Sequence, residues 1–277
     1  MEVCATIADV RKALQGVQHP VGAVLTMGAL HEGHLALVRR ARQECETVAA
    51  SIYVNPTQFG DQTDLAAYPR GIQEDLRVLR EEGVDVAFVP TDTEMYPQGF
   101  DTWVEPGKVA EPLEGAYRPG HFRGVCTVVL KLFNALSPDK SYFGQKDAQQ
   151  IMVIRRMVAD LALGVDVIAV PTVRERDGLA LSSRNAKLSY VERQAAPVLY
   201  RALKLSQELA LRGQRNADTV REAMRECITA EALASIDYVS LADAKTLEEL
   251  ATVDRPTLVS LAVRIGETRL IDNVLLP

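Results

Sequence analysis

Cysteine, tryptophan and histidine are scarce in this chain. Its 277 residues include four cysteines, one tryptophan and four histidines, and aromatic residues make up only 5% of the total. The cysteines stand far apart, at positions 4, 45, 126 and 227, without a C-x-x-C pair. No disulfide framework is indicated, so we expect reduced thiols that pack as small apolar side chains and a cytoplasmic location.

Long apolar runs and an excess of positive charge are also missing. No stretch approaches the ~18 consecutive apolar residues that a membrane span needs, so we expect no membrane partner. Residues 1–14 lack a signal-peptide pattern, and we interpret them as the start of an amphipathic helix. The net charge of −6 and the pI near 5.4 argue against a nucleic-acid partner, but they leave room for a local positive pocket.

Short apolar runs alternate with amphipathic segments through the first two thirds of the chain. We predict strands at 22–27, 49–54, 84–89, 140–143 and 165–170. We predict helices near 34–46, 72–82, 122–136 and 148–161. Nearly continuous apolar strands are typical of a parallel sheet covered on both faces, and right-handed crossovers make this a doubly wound α/β domain.

The pattern changes after about residue 172. We predict helices near 190–212 and 216–230, followed by β-rich runs joined by hairpin-like turns, which together indicate a smaller α+β domain with an antiparallel sheet. We place the domain boundary between 1–172 and 173–277. The Pro- and Gly-rich segment 95–122 is too long for a plain connector, and such structured loops are often functional.

The stretch TMGALHEGH, Thr26 to His34, lies where the first apolar strand meets a helix. Ligands of open α/β sheets bind beyond the carboxyl ends of strands, and a helix N-terminus favours phosphate. Two imidazoles there can donate hydrogen bonds to phosphoryl oxygens. The ordinary alternative is a pair of surface or capping histidines. A local zinc site is disfavoured, because no cysteine is near and the other histidines are His19 and His121.

Three further segments carry polar residues suited to small ligands. In SYFGQKDAQQ, Lys146 follows a glycine turn, Asp147 can cap the next helix, and Gln150 falls in its first turn. VNPTQF and LALSSRN add neutral amides, hydroxyls and a guanidinium. Each also has a plainer interpretation as a solvated lysine, turn chemistry or a polar linker. All but LALSSRN are expected at one edge of the same sheet.

Taken together, TMGALHEGH, VNPTQF, YPR, RPGHFRGV, YFGQKDAQQ and LSSRN resemble the pantoate–β-alanine ligase family, in the same order and through nearly the whole chain. H-x-G-H alone indicates only the wider nucleotidyltransferase superfamily. The resemblance implies a Rossmann-like N-terminal domain and a C-terminal lid. It also implies that ATP, pantoate and β-alanine give pantothenate, AMP and pyrophosphate through a pantoyl adenylate, with Mg²⁺, in a homodimer.

The resemblance also implies roles for individual residues. His34 corresponds to the family's proton donor, and we take His34, His31 and Lys146 as the catalytic set. Gln58, Gln150, Met27 and Asn55 correspond to contacts with pantoate and β-alanine. The ATP contacts implied are Met27, Gly28, Ala29, Leu30, His31, Glu32, Gly33, His34, Gly144, Gln145, Lys146, Asp147, Val173, Leu181, Ser182, Ser183 and Arg184.

One position departs from the family pattern. Leu25 replaces the usual proline before TMG, which we expect to loosen the adenosine pocket without abolishing chemistry. The loop residues Arg118, His121 and Arg123 are carried over as walls of the site. Asp75 is a candidate magnesium contact, although the metal ligands are otherwise unknown.

Two rival functions stay open at this point. An adenylyltransferase that passes AMP to a phosphate-bearing acceptor also uses H-x-G-H, but it needs a basic acceptor pocket in place of Gln58 and Gln150. A nucleotide- or RNA-binding module would bind ATP without releasing AMP and pyrophosphate. The acidic balance and the intact histidine pair argue against that module.

Overall fold

The computed structural model describes residues 1–60, 62–66 and 68–277. They form two compact units. The first comprises Met1–Gln145 and Gln149–Pro171, and the second comprises Lys146–Ala148 and Thr172–Pro277. The second unit therefore includes three residues from the middle of the chain. A single boundary along the sequence cannot divide the chain in this way. Our functional boundary between 1–172 and 173–277 stays a prediction.

The first unit is built on a six-stranded sheet in the order β1-β4-β3-β2-β5-β6. Every neighbouring pair is parallel. The strands are β1 (Glu2–Cys4), β2 (Val21–Thr26), β3 (Thr47–Ile52), β4 (Val86–Phe88), β5 (Lys140–Gly144) and β6 (Asp166–Val170). The predicted doubly wound parallel sheet is confirmed.

Helices connect the strands of this sheet, and some of them pack in the apolar clusters on its two faces. The helices are α1 (Ile7–Ala13), α2 (Glu32–Glu44), α3 (Gln62–Ala66), α4 (Ile72–Glu81), α5 (Asp92–Met95), α6 (Glu114–Tyr117), α7 (His121–Leu136) and α8 (Ala148–Asp160). Short 3-10 turns lie at Pro56–Gln58, Lys108–Ala110 and Gln145–Asp147. Successive strand residues face opposite sides, so Ala23 packs in the cluster containing α1, α7 and α8, and Val24 packs in the cluster containing α2 and α4.

The interpretation of residues 1–14 as a helix start is wrong for the first residues. Glu2–Cys4 form β1, which pairs with β4 at the edge of the sheet. The helix begins only at Ile7, where the hydroxyl of Thr6 accepts a hydrogen bond from Asp9 N. A three-residue strand is too short to produce a period-two signal, so the tertiary pairing decides its structure.

The second unit packs helices against a three-stranded antiparallel sheet, as predicted. Its helices are α9 (Tyr190–Ala195), α10 (Val198–Leu211) and α11 (Ala217–Thr229), with a 3-10 turn at Ser183–Lys187. Its strands are β7 (Ala234–Asp243), β8 (Thr257–Ile265) and β9 (Thr268–Leu276). The single helical stretch predicted near 190–212 is two helices. Pro197 separates them, because proline lacks the N–H and clashes with the preceding turn of a continuous helix.

The order of the sheet creates a topological switch point between β2 and β5. From β2 the chain passes to β3 and β4 on one side, and β5 and β6 lie on the other. Ligands of such sheets bind beyond the carboxyl ends of the strands flanking this point. β2 runs into TMGALHEGH and β5 runs into GQKD, so two of the predicted nucleotide segments follow the two flanking strands. Within the described part of the chain, no helix is long and apolar enough to cross a membrane.

Candidate active site

The H-x-G-H segment forms a closed cap on α2. His31 is the N-cap residue, and its Nδ1 accepts a hydrogen bond from Gly33 N at 3.1 Å. His31 N donates in return to Nδ1 of His34 at 3.3 Å. The two rings lie 4.1 Å apart between centroids. Both δ nitrogens act as acceptors, so a neutral ring at either position carries its proton on Nε2. The capping role named as the ordinary alternative is therefore present, and a part of the two histidines in phosphate binding stays a prediction.

A buried carboxylate holds the turn that precedes this cap. Asp75 of α4 is 3% exposed, and its Oδ1 accepts a hydrogen bond from Leu30 N at 2.7 Å. Gly28 has φ +68°, and a Cβ added there would lie 2.5 Å from Asp75 Oδ2. Tyr68 donates its hydroxyl to Gly28 O at 2.7 Å. Glycine is thus required at position 28 both for its left-handed backbone and for the close approach of Asp75.

Burial has a direct electrostatic consequence for Asp75. It raises the pKa of this carboxyl above its ordinary value, and the hydrogen bond from Leu30 N opposes that rise. The residues described include no group of three or more His, Cys, Asp or Glu side chains arranged to hold a metal ion. Asp75 anchors the backbone of this turn through Leu30 N, and its part as a magnesium contact stays a prediction.

Asn55 organises the segment after β3. Its side chain is 1% exposed. Its Oδ1 accepts from the hydroxyls of Thr57 and Tyr96, each at 2.9 Å. Its Nδ2 donates to Gln58 Oε1 at 3.1 Å and to Gly124 O at 3.2 Å. Both amide hydrogens are thereby used within the protein, so the amide of Asn55 orients Gln58. A direct contact between Asn55 and substrate stays a prediction.

Gln58 is held from several sides. Its Oε1 accepts from Asn55, and its Nε2 lies 2.9 Å from the sulfur of Met27, which brings together two residues predicted at the substrate site. Its backbone oxygen accepts from His121 Nδ1 at 2.9 Å and from the Arg118 guanidinium at 3.3 Å. His121 and Arg118 therefore brace the backbone of Gln58, and their expected place in the wall of the site stays a prediction.

Arg123, the third residue expected at the wall of the site, contacts an aromatic ring and a carboxylate. The Arg123 guanidinium is 4.4 Å from the centre of the Trp103 ring, and its Nε is 3.3 Å from a Glu105 oxygen. Trp103 packs against Tyr96 and Phe100. This aromatic cluster orders part of the long segment 95–122, which was predicted to be structured.

The two neighbouring glutamines at the start of α8 divide their roles. Gln149 is 6% exposed, accepts from Glu114 N at 3.0 Å and donates to Pro112 O at 2.7 Å. It ties α8 to the long loop. Gln150 is half-buried, and it is the member of the pair that we predicted for substrate.

Leu25 lies in β2 and packs against the core cluster that contains α7.

Among the remaining predicted nucleotide residues, Gly144 and Gln145 belong to the first unit, and the others, from Lys146 onward, belong to the second. Lys146 Nζ lies 3.4 Å from Asp147 Oδ1. Leu181 N donates to Val173 O at 3.0 Å, which closes a tight loop over 173–181. The hydroxyl of Ser182 accepts from Arg184 N at 3.2 Å and so caps the turn at Ser183–Lys187. These contacts bring the predicted residues together within their own segments.

A family model described as pantoate–β-alanine ligase matches residues 2–275. The chain belongs to the pantoate–β-alanine ligase family. A pantothenate synthetase from Roseiflexus sp. (strain RS-1) is 58% identical over 276 residues, which is 100% of this chain and 99% of the relative. Another from Pelotomaculum thermopropionicum is 50% identical over 279 residues and covers 100% of this chain and 99% of the relative. The family resemblance found in the motifs is therefore confirmed.

Solved structures of the ligase family share this fold. The pantothenate synthetase of Thermus thermophilus is 48% identical, with a TM-score of 0.95 over 99% of each chain. The pantoate–β-alanine ligase of Francisella tularensis, complexed with "Beta-gamma ATP and Beta-alanine", is 34% identical. Its TM-score is 0.82, and the match covers 99% of this chain and 97% of that one. The predicted fold, a Rossmann-like sheet with a smaller α+β unit, is thereby confirmed.

Several residues that organise this candidate site were given no individual role from the sequence, although three of them stand in the quoted motifs. They are Tyr68, Tyr96, Gly124 and Gln149. Gly124 left one usable signal, because a glycine inside an otherwise strong helical segment points to a close backbone approach. A Cβ at this position would lie 2.5 Å from Thr57 O and 2.8 Å from Gln58 N.

Proposed function

We propose that this chain condenses pantoate with β-alanine to give pantothenate, consuming ATP and releasing AMP and pyrophosphate through a bound pantoyl adenylate. The observation that carries the proposal is the capped imidazole pair, His31 and His34, at the start of α2 in a member of the pantoate–β-alanine ligase family. The Francisella tularensis relative, complexed with an ATP species and β-alanine, supports two of the three substrates.

In the first step, a carboxylate oxygen of pantoate attacks the α-phosphorus of ATP. The bond from that phosphorus to the bridging oxygen breaks, and pyrophosphate leaves. A carboxylate is ionised at neutral pH, so this step needs no general base. The barrier arises from negative charge on the phosphoryl oxygens, and positioned donors and cations lower it.

We assign the stabilisation of this charge to three side chains. His34 donates at the α-phosphate, His31 donates beside it, and Lys146 supplies a point charge to phosphate. Asp147 is assigned to the ribose side. The other proposed nucleotide contacts are Met27, Gly28, Ala29, Leu30, Glu32, Gly33, Gly144, Gln145, Val173, Leu181, Ser182, Ser183 and Arg184.

Pantoate carries two hydroxyls and the attacking carboxylate. The amides of Gln58 and Gln150 suit the hydroxyls of pantoate. Because these amides are neutral, they form no ion pair with the carboxylate that would weaken it as a nucleophile. Met27, in contact with Gln58, provides an apolar surface for the gem-dimethyl group. Asn55 contributes by fixing the amide of Gln58.

In the second step, the neutral amine of β-alanine attacks the acyl carbon of the adenylate. The acyl–oxygen bond to AMP breaks, an amide bond forms, and the amine proton passes to solvent or to a phosphate oxygen. Gln58 is the assigned contact for β-alanine as well. The protein's task here is to hold the amine near the acyl carbon while excluding competing water.

The proposal includes Mg²⁺, a homodimer and a cytoplasmic location. Magnesium keeps several waters and is commonly bound through substrate phosphates and one or two carboxylates, so the single carboxylate of Asp75 is compatible with it. When bound, Mg²⁺ would neutralise charge on the triphosphate. The C-terminal unit is proposed to act as the lid.

The test is pantoate-dependent exchange of pyrophosphate into ATP, followed by pantothenate formation when β-alanine is added. Gln58→Ala is expected to raise KM for pantoate and β-alanine roughly fivefold to tenfold, about the strength of one neutral hydrogen bond, with little change for ATP. Gln15→Ala, which alters an exposed glutamine, is the control. Equal effects on all three substrates would contradict the assignment of Gln58. Exchange that does not require pantoate would favour an adenylyltransferase.

A further inference from the structure

The last strand of the chain buries two polar residues in succession. Asp272 and Asn273 of β9 are 3% and 4% exposed. Neighbouring strand residues face opposite sides of a sheet, so burial of both requires polar partners on each side. Those partners identify what this part of β9 does.

Asn273 reaches a residue 127 positions away in the sequence. Its Nδ2 donates a hydrogen bond to the backbone oxygen of Lys146 at 2.8 Å. Lys146 lies in the 3-10 turn Gln145–Asp147, and a turn of this length supplies few hydrogen bonds of its own. The contact from Asn273 therefore fixes the backbone from which the Lys146 side chain extends.

Asp272 is held rigidly beside this contact. Its carboxylate accepts two hydrogen bonds from the Arg174 guanidinium, at 2.5 and 3.0 Å. Its Oδ1 also accepts from Asn273 N at 2.8 Å. The guanidinium in turn lies 4.4 Å from the centre of the Tyr200 ring. A bidentate pair of this kind restricts both partners. Because Asn273 follows Asp272 directly, the pair also fixes the backbone from which the Asn273 side chain extends.

The same pair affects the charge near Lys146. Burial raises the pKa of Asp272, and Arg174 and the nearby Lys146 oppose that rise. Arg174 has the larger of these two effects, because it donates hydrogen bonds directly to the Asp272 carboxylate. The Lys146 ammonium has the Asp147 carboxylate at 3.4 Å, and the Lys146 side chain is 17% exposed.

We propose that Asn273 is a positioning residue for Lys146, held in place by the Asp272–Arg174 pair. The inference rests on the proposed function, in which Lys146 stabilises charge on the phosphates during adenylate formation. Asn273 acts through the Lys146 backbone and touches no substrate. Its contribution is confined to the first step, because the second step proceeds without pyrophosphate departure.

The experiment compares Asn273→Ala with Asn273→Leu, which keeps a branched side chain of similar shape but lacks the donor. Both are expected to lower pantoate-dependent ATP–pyrophosphate exchange about tenfold, since small displacements of a charge-stabilising group are costly. Amide formation from supplied pantoyl adenylate and β-alanine is expected to change less than about twofold. The matched control is Ser260→Ala, because Ser260 lies opposite Asn273 in the sheet and is 6% exposed.

A double-mutant cycle with Lys146→Ala separates positioning from a general structural role. Lys146→Ala keeps the backbone oxygen that Asn273 binds but removes the ammonium. In that background, Asn273→Leu is expected to change exchange less than about twofold, because coupled residues are not additive. Equal losses in both backgrounds, or equal losses in both steps, would overturn the inference while leaving the proposed function intact. Absence of exchange in the unsubstituted protein would overturn both.

Discussion

Gly124→Ala tests how closely α7 must approach the segment that carries Gln58. An alanine Cβ at this position would lie 2.5 Å from Thr57 O and 2.7 Å from Thr57 C. These are backbone atoms, so rotation of a side chain cannot relieve the overlap. A carbon–oxygen contact normally lies near 3.3 Å, so α7 and the Pro56–Gln58 turn must separate by about 0.8 Å.

The expected loss of stability is moderate. Overpacking of this kind costs about 1–3 kcal/mol, and alanine recovers about 1 kcal/mol over glycine within a helix. The net destabilisation is therefore no more than about 2 kcal/mol, which lowers Tm by no more than about 8 °C. The variant is expected to fold.

The expected loss of activity is specific to pantoate. The shift moves Gln58 relative to Met27 and weakens the hydrogen bond from Asn55 to Gly124 O. Since a displacement of about 1 Å can cost up to 10²-fold, we expect kcat/KM for pantoate to fall at least tenfold, with KM for ATP nearly unchanged. Steady-state kinetics with each substrate varied in turn provide the measurement.

The matched control is Gly164→Ala, where an added Cβ has no heavy atom within 4 Å and the backbone is not left-handed. This substitution is expected to leave kcat/KM unchanged. A folded Gly124→Ala protein with parental kinetics for pantoate would refute the argument that the close approach of α7 positions Gln58.

Two further predictions concern the first turn of α2 and the segment that precedes it. His34→Ala is expected to slow single-turnover adenylate formation at least about tenfold without unfolding the protein, whereas His19→Ala, at an exposed histidine, has no such effect; an unchanged rate would exclude His34 from the chemistry. Asp75→Ala is expected to cost about 1–3 kcal/mol in urea unfolding, because Leu30 N loses its acceptor. Asp75→Asn keeps an acceptor and replaces a buried carboxyl group whose pKa is raised. The variant is therefore expected to be more stable than the unsubstituted protein at pH 7. That gain should vanish at a pH below the ordinary carboxyl pKa, where Asp75 is neutral in both folded and unfolded chains; a gain independent of pH would contradict the electrostatic cause.

The sequence predicted the architecture because its signals are local. Continuous apolar strands and helical periodicity are properties of neighbouring residues, and they located β2 to β6 and the main helices within a few positions. Where the local signal was too short, as in β1, the prediction was wrong. At Pro197 a single residue interrupts the helical periodicity, and one helix was predicted where the structure has two.

The sequence by itself also determined the family and the candidate chemistry. His31, His34, Gln58, Lys146 and Gln150 stand in motifs whose residue types suit phosphate or hydroxyl binding, and the family is confirmed. The assignment of those residues to individual substrates stays a prediction, because motif and fold do not by themselves place a ligand.

Only the tertiary structure decided how these side chains are held. It shows that Asp75 accepts a hydrogen bond from Leu30 N and that His121 donates to the Gln58 backbone. It also shows that Gln149, and not its neighbour Gln150, binds the long loop, and that Asn273 donates to the Lys146 backbone. Each of these contacts joins residues that are far apart in the chain. Such pairs leave no periodic pattern along the sequence, since their geometry arises only when separate elements pack against one another.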